Sequence, residues 1–182
     1  MKKLPSDLTI RQLTSADAEA FQKLRREVTA DNPVPMGLTL EEELSRTLEG
    51  FRDQLSYPFP NAVFGAFVSG SLAGTAAVAW PSKFPSSRHK TNLWGVFVTP
   101  THRGTGLGRA LVSRAISHAF ENGVRRINLQ VFTPNTEAIS LYDSLGFQLF
   151  GKEPEAVYIN GEYHDGAHMS LLRQENTYCA AQ

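Results

Sequence analysis

One cysteine among 182 residues, Cys179, excludes an intramolecular disulfide and cannot make a zinc site alone. Long apolar runs are also missing. No stretch approaches the ~20 residues that span a bilayer, and Lys2 and Lys3 lead into no apolar segment of the kind a secretory leader needs. An excess of either charge is absent: 18 basic side chains face 18 acidic ones. That balance argues against a self-repelling disordered chain and against a general nucleic-acid or membrane-surface binder. There is no internal repeat and no low-complexity segment. The expectation is a soluble cytoplasmic protein with neither nucleic acid nor membrane as partner.

What is present suffices for one real core. Hydrophobic residues make up 41% of the chain, and a domain of this size buries roughly 70% of its unfolded surface. Residues 8–13 alternate apolar and polar and read as a first strand. Ser15 is expected to cap a helix through Ala18, Phe21, Leu24 and Val28, ended at Asn32-Pro33-Val34-Pro35. Thr39 and Glu42 form a capping box for a second, acidic helix through Leu44 and Leu48. A hairpin follows at 63–68 and 72–80, then a Pro- and Ser-rich loop at 81–87 and a strand at 93–98. The spacing of Leu107, Leu111, Val112, Ala115, Ile116 and Phe120 predicts a helix over 106–122 whose wide apolar face packs on a sheet, with Gly123 at its end. A strand at 127–132 and a short helix at 135–145 come next. The last strands, 147–151 with 156–159 and then 163–172, join at Asn160-Gly161, a strong hairpin signal. The order implies an α/β domain with a mixed sheet and helices on both faces.

The most informative stretch is Val96-Phe97-Val98-Thr99-Pro100-Thr101-His102-Arg103-Gly104-Thr105-Gly106-Leu107-Gly108-Arg109. A strand runs into a glycine-rich turn that opens a helix. Glycines let several backbone N–H groups share one concavity, and the helix N-terminus, Arg103 and Arg109 add positive charge. The arrangement suits an anion, most simply a phosphate. A P-loop would need a lysine after the glycines, and there is none. The dinucleotide fingerprint would need glycine where Arg109 stands and an acidic residue about 20 positions on, and both are missing.

What fits is Arg103-x-x-Gly106-x-Gly108 after Val-x-Val. With it come Leu129-x-Val131, Asn135, Ala138, Leu141-Tyr142 and Leu145-Gly146-Phe147, and more loosely Gly151, Asn160-Gly161-Glu162-Tyr163, Asp165 and Met169. On these residues the sequence resembles the GNAT superfamily of acetyl-CoA-dependent N-acetyltransferases of the small-molecule and amino-acid type, over residues 7–173. The resemblance implies a single domain with a central mixed, mostly antiparallel sheet, a tail at 174–182, and transfer of acetyl from acetyl-CoA directly to a primary amine. It also implies roles. The backbone of Val96, Phe97 and Val98 pairs with the pantetheine arm. Arg103, Gly104, Thr105, Gly106, Leu107, Gly108 and Arg109 hold the pyrophosphate, Asn135 orients the arm, and Tyr142 is the general acid at the sulfur. A backbone N–H near Val98 stabilises the oxyanion. Two other readings stay open: a protein or peptide N-terminal acetyltransferase, and a non-catalytic acyl-CoA sensor. The insert at 82–87 bears on the first, because it can shape the acceptor groove. A monomer and a homodimer are equally compatible.

The chemistry needs a neutral amine, and an amine with a pKa of ~8 to ~10.4 must lose a proton first. Where relatives carry a strand glutamate, this chain has Thr91-Asn92-Leu93-Trp94, and Asn92 can only position a water. Glu153, Glu155, Asp165, His89 and His164 are conceivable acceptors, so no base is assigned. A tyrosine (~10) is a weaker acid than the thiol it would protonate (~8.5), so the acid role predicts a polar or positive surround that lowers the Tyr142 pKa. His164 and His168 have metal-ligand spacing only on a helix. On the expected strand they stand about 13 Å apart, and no metal is expected.

The neutral total also hides a polarity. Residues 86–126 hold seven basic side chains against Glu121, and residues 127–182 hold two against seven acidic ones. A cationic acceptor drawn by Glu153, Glu155, Glu162 or Asp165 is the expectation.

Overall fold

The computed structural model describes residues 3–81 and 84–174. Cys179, most of the 174–182 tail and part of the 82–87 insert therefore lie outside the described residues. The strands are β1 (Thr9–Gln12), β2 (Ala62–Val68), β3 (Ser71–Ala79), β4 (Lys90–Val98), β5 (Arg126–Phe132), β6 (Gln148–Ile159) and β7 (Glu162–Leu172). They form a 7-stranded sheet in the order β1-β2-β3-β4-β5-β7-β6. Every pairing is antiparallel except β4 with β5. The helices are α1 (Ala18–Asp31), α2 (Leu40–Ser45), α3 (Leu48–Leu55), α4 (Leu107–Glu121) and α5 (Thr136–Ser144).

The central strands read as continuous apolar runs because both faces are covered. Phe64, Ala66, Ala76, Val78 and Leu93 point to the face holding α4 and α5, where Leu107, Leu111, Val112, Ala115 and Tyr142 complete one core. Val63, Ala77 and Phe97 point the other way, into a second core with Phe21, Leu24 and Val28 of α1 and Phe51 of α3. Gly74 lets α4 close on β3. A Cβ there would stand 2.7 Å from the Phe97 carbonyl oxygen and 3.1 Å from both Leu107 and Leu111.

Three local expectations change. The first helix is entered through a 3-10 turn, Ser15–Asp17, capped by Thr14 rather than Ser15. Asp17 accepts from the Thr14 N–H at 2.9 Å and from Arg11 at 2.7 and 2.8 Å, which holds its carboxyl at about 2. The acidic helix after the Thr39–Glu42 capping box is split in two. Thr47 accepts from the Gly50 N–H at 3.1 Å and so starts a new helix instead of continuing the old one. Leu44 is left exposed and Glu43 turns inward. Finally, 147–151 and 156–159 belong to one long strand, β6, with register shifts between Leu149 and Gly151 and between Glu153 and Val157. Pro154 has no N–H to give the ladder, which suits it to a bulge.

Candidate active site

β4 and β5 are paired only at Lys90 with Arg126, Thr91 with Ile127 and Asn92 with Asn128. Beyond Asn92 and Asn128 the two strands part, β4 running on to Val98 and β5 to Phe132. A bulge turns β4 aside. Thr75 faces Phe97 while Ala77 faces Trp94, leaving an extra residue on β4. Gly95 sits in the left-handed region at φ 60°, where glycine carries no Cβ penalty. The Thr75 hydroxyl fixes this kink by donating to the Gly95 carbonyl at 2.8 Å. β5 stays paired with β7 on its other side along its whole length, so the fork opens between two facing edges, and the one on β4 runs on into the glycine-rich loop.

The groups on that edge follow from strand alternation. The Thr99 N–H donates to Ala73 on β3 at 2.9 Å, so the backbone groups of Val98 and Val96 face the fork. Arg103 Nε donates to the Val98 carbonyl at 3.2 Å, and the same guanidinium pairs with Asp31 at the end of α1 at 2.9 Å. The structure therefore places Arg103 across the β4 edge.

Past Val98 comes the 3-10 turn Pro100–His102, then Gly104 and Gly106 at φ 73° and 90°. The Thr105 hydroxyl donates to the His102 carbonyl at 2.7 Å and accepts from the Leu107 N–H at 3.4 Å. Among the described residues, the N–H groups of Gly104, Thr105, Gly106, Gly108 and Arg109 have no acceptor. No acidic side chain occupies the first turn of α4. Unsatisfied donors at a helix N-terminus, with this much positive charge nearby, form an anion site.

α5 closes on the same place. A Cβ on Gly108 would stand 3.6 Å from Val98 and 3.7 Å from Leu141, and Arg109 donates to Ser144. Asn135 caps this helix, its side-chain carbonyl accepting from the Ala138 N–H at 3.1 Å, which leaves the NH₂ end for another partner. Tyr142 is buried in the core, 5.7 Å from Phe147 in an edge-on ring contact. Burial pushes its pKa above the ordinary phenol value. The lowered pKa expected for a free acid is thus overturned: the apolar core disfavours the phenolate, and Tyr142 keeps its proton.

On the other side of the fork lies a cavity of about 670 Å³. Trp94, Gly95, Val96 and Phe97 of β4 form one wall, and Asn128, Leu129 and Gln130 of β5 form another. Phe150 of β6, His168 of β7 and Arg25 and Arg46 from the helical side complete it. Trp94 Nε1 and Asn128 Oδ1 are buried and have no hydrogen-bond partner among the described residues. His168 Nε2 lies 2.9 Å from Glu153 Oε2, which also accepts from Gln130 at 2.8 Å. Sequence reasoning placed Glu153 among five conceivable proton acceptors but passed over His168. The available signal was strand register: His168 shares β7 with His164 and faces Gln130 on β5. Asn92 lines the cavity, whereas His89, Glu155, His164 and Asp165 do not. Asp165 instead accepts from the Glu155 N–H at 2.9 Å, and Glu162 begins β7 beside the hairpin turn. No group of three or more metal-ligating side chains occurs among the described residues, and no helix there is long and apolar enough to cross a membrane.

Comparison with known proteins matches the acetyltransferase (GNAT) family model to residues 21–147. A mycothiol acetyltransferase from Thermobispora bispora is 33% identical over 149 residues, covering 79% of this chain and 48% of that protein. The chain thus spans about half the length of that relative. The N-alpha-acetyltransferase RimI of Mycobacterium tuberculosis is 30% identical over 155 residues, covering 85% of this chain and 87% of that one. Among solved structures, an acetyltransferase of the GNAT family from Streptococcus pneumoniae superposes with a TM-score of 0.82 at 26% identity, covering 91% of this chain and 99% of the other.

Proposed function

The chain belongs to the acetyltransferase (GNAT) family, and we propose that its domain, residues 7–173, transfers the acetyl group of acetyl-CoA directly to a primary amine of a small molecule or amino acid. The observation that carries this reading is the fork: an unpaired β4 edge continuous with a loop of unsatisfied N–H donors on one side and with a cavity of small-molecule size on the other. An extended pantetheine arm suits the free edge at Val96, Phe97 and Val98, in the way a peptide adds to a sheet. Once Arg103 releases the Val98 carbonyl, that edge has both a donor and an acceptor to give. Gly104 to Arg109 supply the N–H groups for a pyrophosphate, and the Asn135 NH₂ reaches for the arm. Acetyl-CoA supplies the activated acyl group, and CoA leaves as the thiol when the C–S bond gives way to the new C–N bond.

The chain's own groups then handle the protons. His168, held by Glu153, takes one proton from the incoming ammonium, directly or through a water positioned by Asn92, so that the amine lone pair is free to attack. The Val98 N–H donates to the negative charge developing on the acyl oxygen. Tyr142, with its raised pKa, donates a hydrogen bond to the departing sulfur while remaining a phenol, and the thiolate takes the second proton of the attacking nitrogen, so that the products are the neutral amide and the free thiol. Glu153 makes this end of the cavity favourable to a cationic amine.

Thiol release from acetyl-CoA against amino acids, polyamines and peptides tests the reading. Release with small amines supports it. Stabilisation by acetyl-CoA without release across the panel favours a sensor, and no stabilisation at all overturns the shared premise. The RimI match favours one second reading, acetylation of a peptide N-terminus, and a peptide preference in the same panel would establish it.

A further inference from the structure

The helical wall of the cavity carries a charge imbalance that neither the fork nor the proton path uses. Arg25 is held by Glu43 through two hydrogen bonds, Nε to Oε1 at 2.9 Å and a terminal nitrogen to Oε2 at 2.7 Å. Arg46 approaches the same carboxylate at 3.5 Å, bonds Gln54 at 2.8 Å, and lies over the Phe51 ring at 4.3 Å. Glu43 is fully buried behind them. Arg25, Arg46 and Gln54 line the cavity, and Glu43 does not. The cavity therefore faces two guanidinium groups that share one carboxylate, a surplus of one positive charge on a partly desolvated wall. Burial, with the charge of Arg25 second, holds the Arg46 guanidinium below its ordinary pKa despite Glu43. Arginine does not deprotonate in proteins, so such a site gains from an anion rather than from proton loss.

The opposite wall has the other sign, with Glu153 behind His168. A bound acid group is repelled from that wall and attracted to Arg46, whose planar fork matches a carboxylate. An ammonium is placed in reverse, toward Glu153 and His168. We propose that the Arg25–Glu43–Arg46 corner is a carboxylate subsite, and that the acceptor is a zwitterion of the amino-acid class whose amine faces the fork while its acid group sits on Arg46. This rests on the acetyltransferase reading and narrows it: a purely cationic acceptor leaves the corner unused.

The test compares α-amino acids with the amines that lack only the carboxylate, for instance methionine with 3-(methylthio)propylamine. Thiol release by the native enzyme should favour the carboxylated member about ten- to a hundredfold in kcat/KM, the range expected of a charge-assisted hydrogen bond. Arg46→Met should bring the pair to near parity without moving the KM for acetyl-CoA, and Arg46→Lys should recover part of the preference. Because Arg46 also packs on Phe51, the native comparison stands alone if Arg46→Met fails to fold. Thermal stabilisation by the amino acids without acetyl-CoA separates the two layers. Stabilisation with no thiol release upholds the subsite and removes the transfer reading. Release with no carboxylate preference upholds transfer and overturns the subsite. Neither binding nor preference overturns the subsite as well.

Discussion

On one side of the β4–β5 fork most of the unsatisfied polar groups are backbone N–H groups of a single stretch, residues 96–109, while on the other the polar groups are side chains brought from α1, the α2–α3 link, β5 and β7. The first side draws its donors from the conformation of two positive-φ glycines and a helix start, so most side-chain changes there leave the donors in place. The second draws its character from charges set against one another, Arg25 and Arg46 around Glu43 and His168 beside Glu153. A backbone site fails by strain, whereas a side-chain site fails by leaving a charge alone.

The sharpest way to break that contrast is Glu43→Ala, which leaves Arg25 unpaired at 5% side-chain exposure. We expect a loss of about 3–5 kcal/mol in urea unfolding, as for other broken buried pairs. His168→Gln comes next, with kcat lowered about a hundredfold and the KM for acetyl-CoA unmoved. An unchanged kcat would remove its proton-acceptor role. Tyr142→Phe should lower kcat about tenfold, the value of one hydrogen bond to a charged sulfur. Since burial keeps this phenol protonated, the alkaline limb of the pH–rate profile should persist in the variant, and its disappearance would return Tyr142 to the part of a titrating acid. On the backbone side, Gly106→Ala places a Cβ at φ 90°. It should cost about 1–2 kcal/mol in stability and raise the KM for acetyl-CoA but not for the acceptor. Smallest of all is Asp31→Ala, which removes an exposed ion pair of no more than about 1 kcal/mol. Its readout is a lower KM for acetyl-CoA, because Arg103 is no longer held across β4.

These contrasts also explain which parts were legible in the sequence. Hydrophobic period and turn chemistry placed the β2–β3 hairpin, α4 and the Asn160-Gly161 turn close to where they stand, because local pattern and tertiary packing agree there. The phosphate-side loop was readable because its residues are contiguous and their glycines carry the geometry. The cavity side was not. Arg25 and Glu43 are 18 positions apart, and the helix that carries Glu43 stops at Ser45 before Thr47 caps the next, a break that helix periodicity through Leu44 and Leu48 obscures. His168 gained a role only when β6 and β7 paired and set Glu153 beside it. The Tyr142 pKa was expected in the wrong direction because sequence shows its helical neighbours but not the Phe147 ring and the α4 core that surround it.

The Arg103 bridge carries a last consequence. Its guanidinium joins the Val98 carbonyl to Asp31, the final residue of the helix that also bears Arg25. Any molecule that takes the Val98 carbonyl competes with the Nε half of this bridge, while the pair with Asp31 can persist. One side chain therefore stands between the β4 edge and the helix that lines the cavity with Arg25.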